Sequence, residues 1–412
     1  MSLGLYISVP FCRSKCTYCN FASGVFSAAQ MGRYVERLIE DMRGIRAYAA
    51  KIGGVIPETV DSIYLGGGTP SLLPAEDLKK LFLAIRREFK VLPKAEITVE
   101  CAPGTLSDEI IQTLATCGVN RVSLGVQSFV DKEAASVARL HTREKTLADI
   151  ERLRRAGISN INVDLIAGLP HQTRESWAYS LDQAIASGVP HISVYMLEID
   201  EDSRLGRELI AGGTKYHAHF VPDDDLTAEF YEIACAQLHA AGIEQYEISN
   251  FVRPGYESRH NLKYWTRQPY LGFGLDAHSM LPANAYYQAH NVEAVRPETT
   301  PDYDRYFVSP TWGNGYVDRQ LAIEESFFLG LRLNRGIDWE ELGQKFGTDL
   351  ATYRAVADNF LAQGLLEQQG GSIRLTARGR LLSNEVFQKF ILDRDRESLA
   401  ASGGFYRPIE TT

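Results

Sequence analysis

As far as residue 200 the chain alternates short β-branched runs with longer stretches of helical periodicity. Strands are predicted at residues 5–9, 62–65, 96–100, 121–124, 161–165 and 191–195, and helices at 31–50, 75–89, 108–116, 143–156 and 174–187. Three of the helices run into a glycine, Gly118, Gly157 or Gly188, the residue best suited to the left-handed turn that closes a helix. Strand then helix, repeated six times, predicts a parallel sheet with helices outside it, which right-handed crossovers curl into a full or partial barrel. The expected fold is α/β, a partial (β/α)6 TIM-like barrel over residues 1–235.

Beyond residue 200 the pattern loosens. A helix and loop are expected at 203–225 and a further helix at 226–242. Residues 236–316 read as an extension closing the barrel, the Pro-, Thr- and Asp-rich part from 291 serving as a connector. A second small unit is expected at 317–392, with helices at 321–333, 338–346, 350–363 and 376–391 and a hairpin turning on Gly370 and Gly371. Three helices and a hairpin resemble a winged-helix module. Its 8 basic and 9 acidic side chains over residues 320–392 make a nucleic-acid partner a poor fit. The polar tail 393–412 is expected to be partly disordered.

The whole chain has 412 residues and a net charge of −9, so neither a nucleic-acid backbone nor an anionic membrane is a natural partner. No apolar run approaches the roughly 18–20 residues of a membrane helix, and the N-terminus lacks a basic-then-apolar signal. A cytoplasmic protein is expected, touching membranes only through whatever it serves.

In a barrel of this kind chemistry collects at the C-terminal ends of the strands. There the chain places Cys12, Cys16 and Cys19, then Gly66-Gly67-Gly68-Thr69-Pro70, Glu100, Gln127, Asp164 and Tyr195. Four readings compete for the cysteines. Structural zinc asks for a fourth Cys or His close by, and none follows. A redox Cys16/Cys19 pair leaves Cys12 idle. Three unrelated core cysteines are improbable between Arg13, Lys15 and Thr17. An iron–sulfur cluster with one iron open to an exchangeable ligand fits all three thiols. Cys101, Cys117 and Cys235 are scattered in apolar surroundings and read as buried and inert.

C-x3-C-x2-C directly after the first strand of a barrel, with GGGTP after the second, resembles the radical S-adenosylmethionine superfamily. The resemblance implies a [4Fe-4S] cluster on Cys12, Cys16 and Cys19 whose fourth iron takes the methionine end of S-adenosylmethionine. It also implies contacts to that cofactor from Tyr6, Tyr18, Gly67, Gly68, Thr69, Glu100, Gln127, Arg139 and Asp164. The segments YISVPFCRSKCTYC, YLGGGTPSLL, VNRVSLGVQSF, INVDLIAGLP and LLEQQGGSIRLTARGRLLSN are similar to the oxygen-independent coproporphyrinogen III dehydrogenases and their relatives.

Phe21 and residues 260–265, HNLKYW, narrow the resemblance. The dehydrogenases carry a further cysteine where this chain has Phe21, whereas Phe21 and an HNxxYW motif resemble the haem chaperone HemW branch. That branch implies haem as cargo, passed to acceptor haem proteins, respiratory ones among them. The alternative is radical chemistry on a tetrapyrrole, and whether the chain turns over as an enzyme stays open. His260 is expected as an axial ligand to haem iron, with Asn261 fixing its ring and Tyr264 and Trp265 lying against the porphyrin. A hydrogen-bonded aromatic corner is the competing reading of that motif, and Arg253, Arg259 and Lys263 nearby suit either propionates or plain surface charge.

Overall fold

The computed structural model describes residues 1–308 and 312–392, so the tail expected to be disordered lies outside the described residues. The first half runs β1 (Leu3–Val9), α1 (Ala28–Lys51), β2 (Thr59–Gly67), α2 (Ala75–Glu88), β3 (Lys90–Cys101), α3 (Asp108–Thr116) and β4 (Arg121–Gln127). It continues with α4 (Asp131–Ser136), α5 (Arg143–Arg155), β5 (Asn160–Ala167), α6 (Arg174–Ala186) and β6 (His191–Met196). Ser27, Ser107, Thr142 and Thr173 cap their helices by accepting an N–H from the first turn. Gly118, Gly157 and Gly188 close α3, α5 and α6 at φ of 81°, 89° and 67°.

Next come α7 (Arg204–Ala211), α8 (Asp224–Ala240), β7 (Glu244–Glu247), β8 (Asn250–Val252), α9 (Arg259–Trp265) and β9 (Tyr270–Phe273). All nine strands form one sheet in the order β7-β8-β6-β5-β4-β3-β2-β1-β9. Strands β1 to β6 pair in sequence order and in parallel, β9 adds in parallel beside β1, and β8 and β7 turn antiparallel at the far edge. The barrel is therefore partial, with two free edges.

Alternation along the strands sets two faces. Leu5, Ile7, Ile63, Leu65, Val99, Val122, Leu124, Val163 and Val194 point outward into one core with Leu38, Leu81, Leu114, Leu153 and Trp177 of the helices. Each such side chain contributes about 1.5–3 kcal/mol by leaving water. The opposite face is polar, and the register sets its members side by side: Tyr6 by Tyr64, Ser62 by Glu96, Glu100 by Ser123, Ser123 by Asn162, Asp164 by Ser193. The sheet thus has a greasy exterior and a hydrogen-bonding interior.

The connector expected from residue 291 is ordered structure. After β10 (Leu281–Pro282) and α10 (Ala285–Ala289), β11 (Val292–Thr299) and β12 (Trp312–Asp318) make a three-stranded antiparallel sheet with β10, and α11 (Tyr303–Val308) lies between them. Pro297 sits within β11, whose register is supplied by its partner β12. The C-terminal unit runs α12 (Arg319–Gly330), β13 (Ile337–Asp338), α13 (Trp339–Phe346), α14 (Ala351–Ala362), β14 (Leu366–Gln369) and β15 (Ser372–Leu375), the order of a winged helix. The last predicted helix is two, α15 (Ala377–Leu381) and α16 (Ser383–Lys389), broken at Leu382. Phe327 stacks on Tyr353 and Phe390 at the centre of this unit, with ring centroids 5.0 and 4.7 Å apart. It is tied to the rest of the chain by Glu325 of α12, fully buried, 2.9 Å from Arg267 and 2.6 Å from Arg296.

Candidate functional site

The loop leaving β1 carries the cysteines. Cys12 N–H bonds Gly24 O at 2.7 Å and Cys19 N–H bonds Cys16 O at 3.3 Å, so the segment folds back on itself, with Cys16 buried and Cys12 and Cys19 half-buried. All three are free. Burial raises the Cys12 and Cys19 thiols, Ser23 opposes this by hydrogen bonding to both, and each is pushed further by its neighbouring cysteines. No three His, Cys, Asp or Glu side chains among the described residues close around a single ion. A cluster that gives each thiolate its own iron takes more widely spaced sulfurs than one zinc with bonds of about 2.3 Å. Phe21 is 46% exposed and accepts a hydrogen bond from Lys15 through its carbonyl, so the fourth-cysteine position of the resembling enzymes points to solvent here.

The glycine segment is stitched to this loop. Gly68 N–H bonds Val9 O at 2.9 Å and Thr69 N–H bonds Phe11 O at 2.7 Å. A Cβ on Gly68 would lie 2.8 Å from both of those carbonyl oxygens, and Gly67 has φ of 99°. These glycines therefore have a packing reason as well as the expected role of letting a ligand approach the backbone.

Glu100 ends the inner row of β3. Its carboxylate accepts from Tyr64 Oη at 2.8 Å and from Gly67 N–H at 3.2 Å. Burial, against the pull of those bonds, and repulsion from Asp164 lift it to about 7. Solvent still reaches it through the barrel mouth. Asp164 accepts from Ser123 at 3.0 Å and Asn162 at 2.7 Å, and burial raises it too. Arg139 donates to Gly125 O at 2.6 Å; burial works against its charge, but Cys16, Tyr18 and Asp164 around it outweigh that. Tyr6 and Tyr18 are half-buried, and desolvation is the first cause that raises their hydroxyls. Gln127 is buried at φ of 68°, an uncommon conformation for a residue with a side chain.

Several polar atoms here have no partner within the protein: Gln127 Oε1, Arg139 Nε, Thr17 Oγ1 and Thr98 Oγ1. Buried polar atoms without partners are costly, and a polar ligand in the mouth would satisfy them. The donor set, the stitched glycine backbone and these orphans fit an iron–sulfur cluster with a polar organic ligand. Sequence reasoning missed the floor below. Arg121, 1% exposed, leaves its Nε without a partner, and Tyr64, Asn162, His191 and Ser193 surround the same interior. Polar residues at every second position of RVSLGVQ and HISVYM were the signal.

The HNxxYW motif lies at the other end of the barrel, not at the mouth. His260 is fully buried, its Nδ1 3.0 Å from Ser62 Oγ and its Nε2 2.9 Å from Tyr264 Oη, and its ring stacks on Tyr64. Burial, reinforced by Lys263, drops it to about 3, so it is a neutral ring with both nitrogens engaged. This arrangement offers haem iron no free nitrogen. Asn261 does not fix the ring; Ser62 and Tyr264 do. Trp265 faces Arg332, whose guanidinium lies 4.2 Å from the ring centroid. Lys263 is buried against Asp61 at 2.8 Å, and Arg259 lies beside Glu96. The motif is the hydrogen-bonded corner that fastens α9 to the sheet.

An open parallel barrel with three free cysteines after its first strand, a glycine segment after its second and a polar mouth defines a radical S-adenosylmethionine protein. The model of that superfamily matches residues 6–184, and the model described as the HemN C-terminal domain matches residues 317–382. Heme chaperone HemW of Bacillus subtilis is 34% identical over 392 residues, covering 94% of this chain and 98% of that protein. The heme chaperone HemW of Lactococcus lactis is 33% identical (94% and 97% covered), and that of Escherichia coli 30% (95% and 98%). The chain belongs to the heme chaperone HemW family. Among solved structures, coproporphyrinogen III oxidase (HemN) from Escherichia coli superposes with a TM-score of 0.77, covering 94% of this chain and 90% of that one; at 23% identity this likeness concerns the fold. No helix among the described residues is long and apolar enough to cross a membrane.

Proposed function

We propose that this protein binds haem and passes it to acceptor haem proteins, respiratory ones among them, with a [4Fe-4S] cluster and S-adenosylmethionine held in the barrel mouth. The observation that carries the reading is the near-full-length similarity to heme chaperones, with Phe21 standing where the resembling dehydrogenases have a cysteine. Cys12, Cys16 and Cys19 would hold the cluster, which leaves one iron for the amino and carboxylate groups of S-adenosylmethionine. Gly67, Gly68 and Thr69, whose N–H groups are taken up within the protein, offer backbone carbonyls to the ammonium at that end of the ligand. Glu100 accepts from its hydroxyls or ammonium, Arg139 meets its carboxylate, Gln127 and Asp164 hold the adenosine, and Tyr6 and Tyr18 close the sides.

The test is anaerobic. Cluster-loaded protein is titrated with haem and then mixed with an apo haem protein. Saturable binding and transfer are expected. In parallel, the protein is incubated with reductant, S-adenosylmethionine and coproporphyrinogen III. Formation of protoporphyrinogen, or a loaded protein that takes up no haem, overturns the chaperone reading.

A further inference from the structure

The chain has nine histidines, and the fold spends most of them. His141, His191 and His260 are buried, while His239 and His278 lie beside carboxylates. His171, His217 and His219 differ. His171 lies on the loop after β5, at the same end of the sheet as the cysteines, and Tyr18 of the cysteine loop packs against the cluster of Val137, Ile166 and Leu169, whose last member is two residues before it. Its Nε2 faces Nδ1 of His217 at 3.3 Å. Phe220 stacks at 4.0 Å centroid distance on both His171 and His219, and is itself 46% exposed.

The two loops are fixed to their surroundings. His171 N–H bonds Phe220 O at 3.0 Å, and the Glu208 carboxylate of α7 accepts from Tyr216 N–H at 2.7 Å and Ala218 N–H at 3.2 Å. α7 in turn rests on the cluster loop, Leu205 N–H bonding Thr17 O at 2.9 Å. That helix leaves Leu209 and Ile210 exposed, at 52% and 69%. An imidazole pair, a stacked aromatic and exposed aliphatics therefore lie together beside the cluster loop. Both His171 and His217 have positive φ, 70° and 64°, a conformation that side chains avoid unless something holds them in it.

We infer that the His171–His217 pair supplies the axial imidazole for haem iron, with Phe220, Leu209 and Ile210 against the macrocycle. This rests on the haem-carrying reading and moves its ligand away from the HNxxYW motif. Neutral imidazole is the form that binds iron, and burial, with Lys132 and His217 adding to it, lowers His171 further toward neutrality. The two rings hydrogen-bond to each other, so one imidazole is held in place by the other and keeps its second ring nitrogen for iron. Lys132 beside His171 offers a cation for a propionate.

The positive φ values make the test clean, because glycine relaxes the backbone at both sites. Haem is titrated into cluster-loaded wild type and the H171G/H217G double variant, with and without free imidazole, and the Soret band recorded. The double variant is expected to bind haem at least tenfold more weakly with a shifted band, and free imidazole to restore the wild-type band. If wild type binds haem and the variant matches it in affinity and band, the pair is not the ligand and the inference fails alone. Weak binding that free imidazole does not restore also overturns it. If wild type binds no haem, the proposed function fails first.

Discussion

Glu100 lets the barrel mouth be tested through pH. With its carboxyl lifted to about 7, it is mostly protonated in slightly acidic solution when no ligand is present. A hydroxyl or ammonium donating to it favours the carboxylate, so S-adenosylmethionine should bind the ionised form more tightly. Taking 7 for the free protein and an ordinary carboxylate value for the complex, the ionised fraction climbs from about a tenth at pH 6 to about nine-tenths at pH 8. The expected gain in affinity is roughly tenfold, or about 1.4 kcal/mol, and somewhat less because solvent reaches the site. Glu100→Gln removes the titration while keeping an acceptor for Tyr64. Calorimetric titration of both cluster-loaded proteins at pH 6, 7 and 8 reads the effect; the ligand's own ionisations move both alike, so the difference between profiles is the signal. Parallel profiles refute the reasoning. The ligand-free protein reports the same shift through its stability: a raised carboxyl costs nothing below the ordinary value of 4.5 and increasingly more up to about 7, so the variant should gain stability over wild type at pH 8 and not at pH 4.

Four further outcomes are expected. Cys16→Ser should abolish the brown visible absorbance of the reconstituted protein, and full iron content in the purified variant would contradict the cluster assignment. Gly68→Ala sets a Cβ against two backbone carbonyls and should cost about 1–3 kcal/mol and lower cluster loading, checked by melting temperature and iron analysis. Glu325→Ala strands Arg267, buried, beside Arg296 and should destabilise by about 3–5 kcal/mol in denaturant titration; a loss under 1 kcal/mol would mean the network is solvated. His260→Gln should lower the melting temperature through the bonds to Ser62 and Tyr264 while leaving the haem spectrum unchanged.

The six parallel strands and most of their helices were legible because each strand carries an unbroken outward apolar row and three of the helices end on a glycine. The cysteines were legible because their spacing is local. β9 was not: Tyr270–Phe273 is four residues long, and only β1, far away in sequence, makes it a strand. β11 was read as connector from the Pro, Thr and Asp content of its stretch, since composition cannot report the partner strand β12. His260 was misread for a related reason. A histidine beside two aromatics looks like a ligand until the fold brings Ser62 to its other nitrogen. His171 and His217 gave no signal, being 46 residues apart and meeting only through the loops above β5.

The pairing of β9 with β1 also dictates an order of events during synthesis. β1 leaves the ribosome well before β9, yet one of its edges stays bare until Phe273 has followed, because among the described strands it is β9 that occupies that side. The cysteine loop hangs from that half-bonded strand. While the nascent chain is short, the thiols are anchored on one side only, and metal offered then meets a loop not yet held in place. Stable cluster insertion should therefore follow the arrival of α9 and β9, long after its ligands have been made.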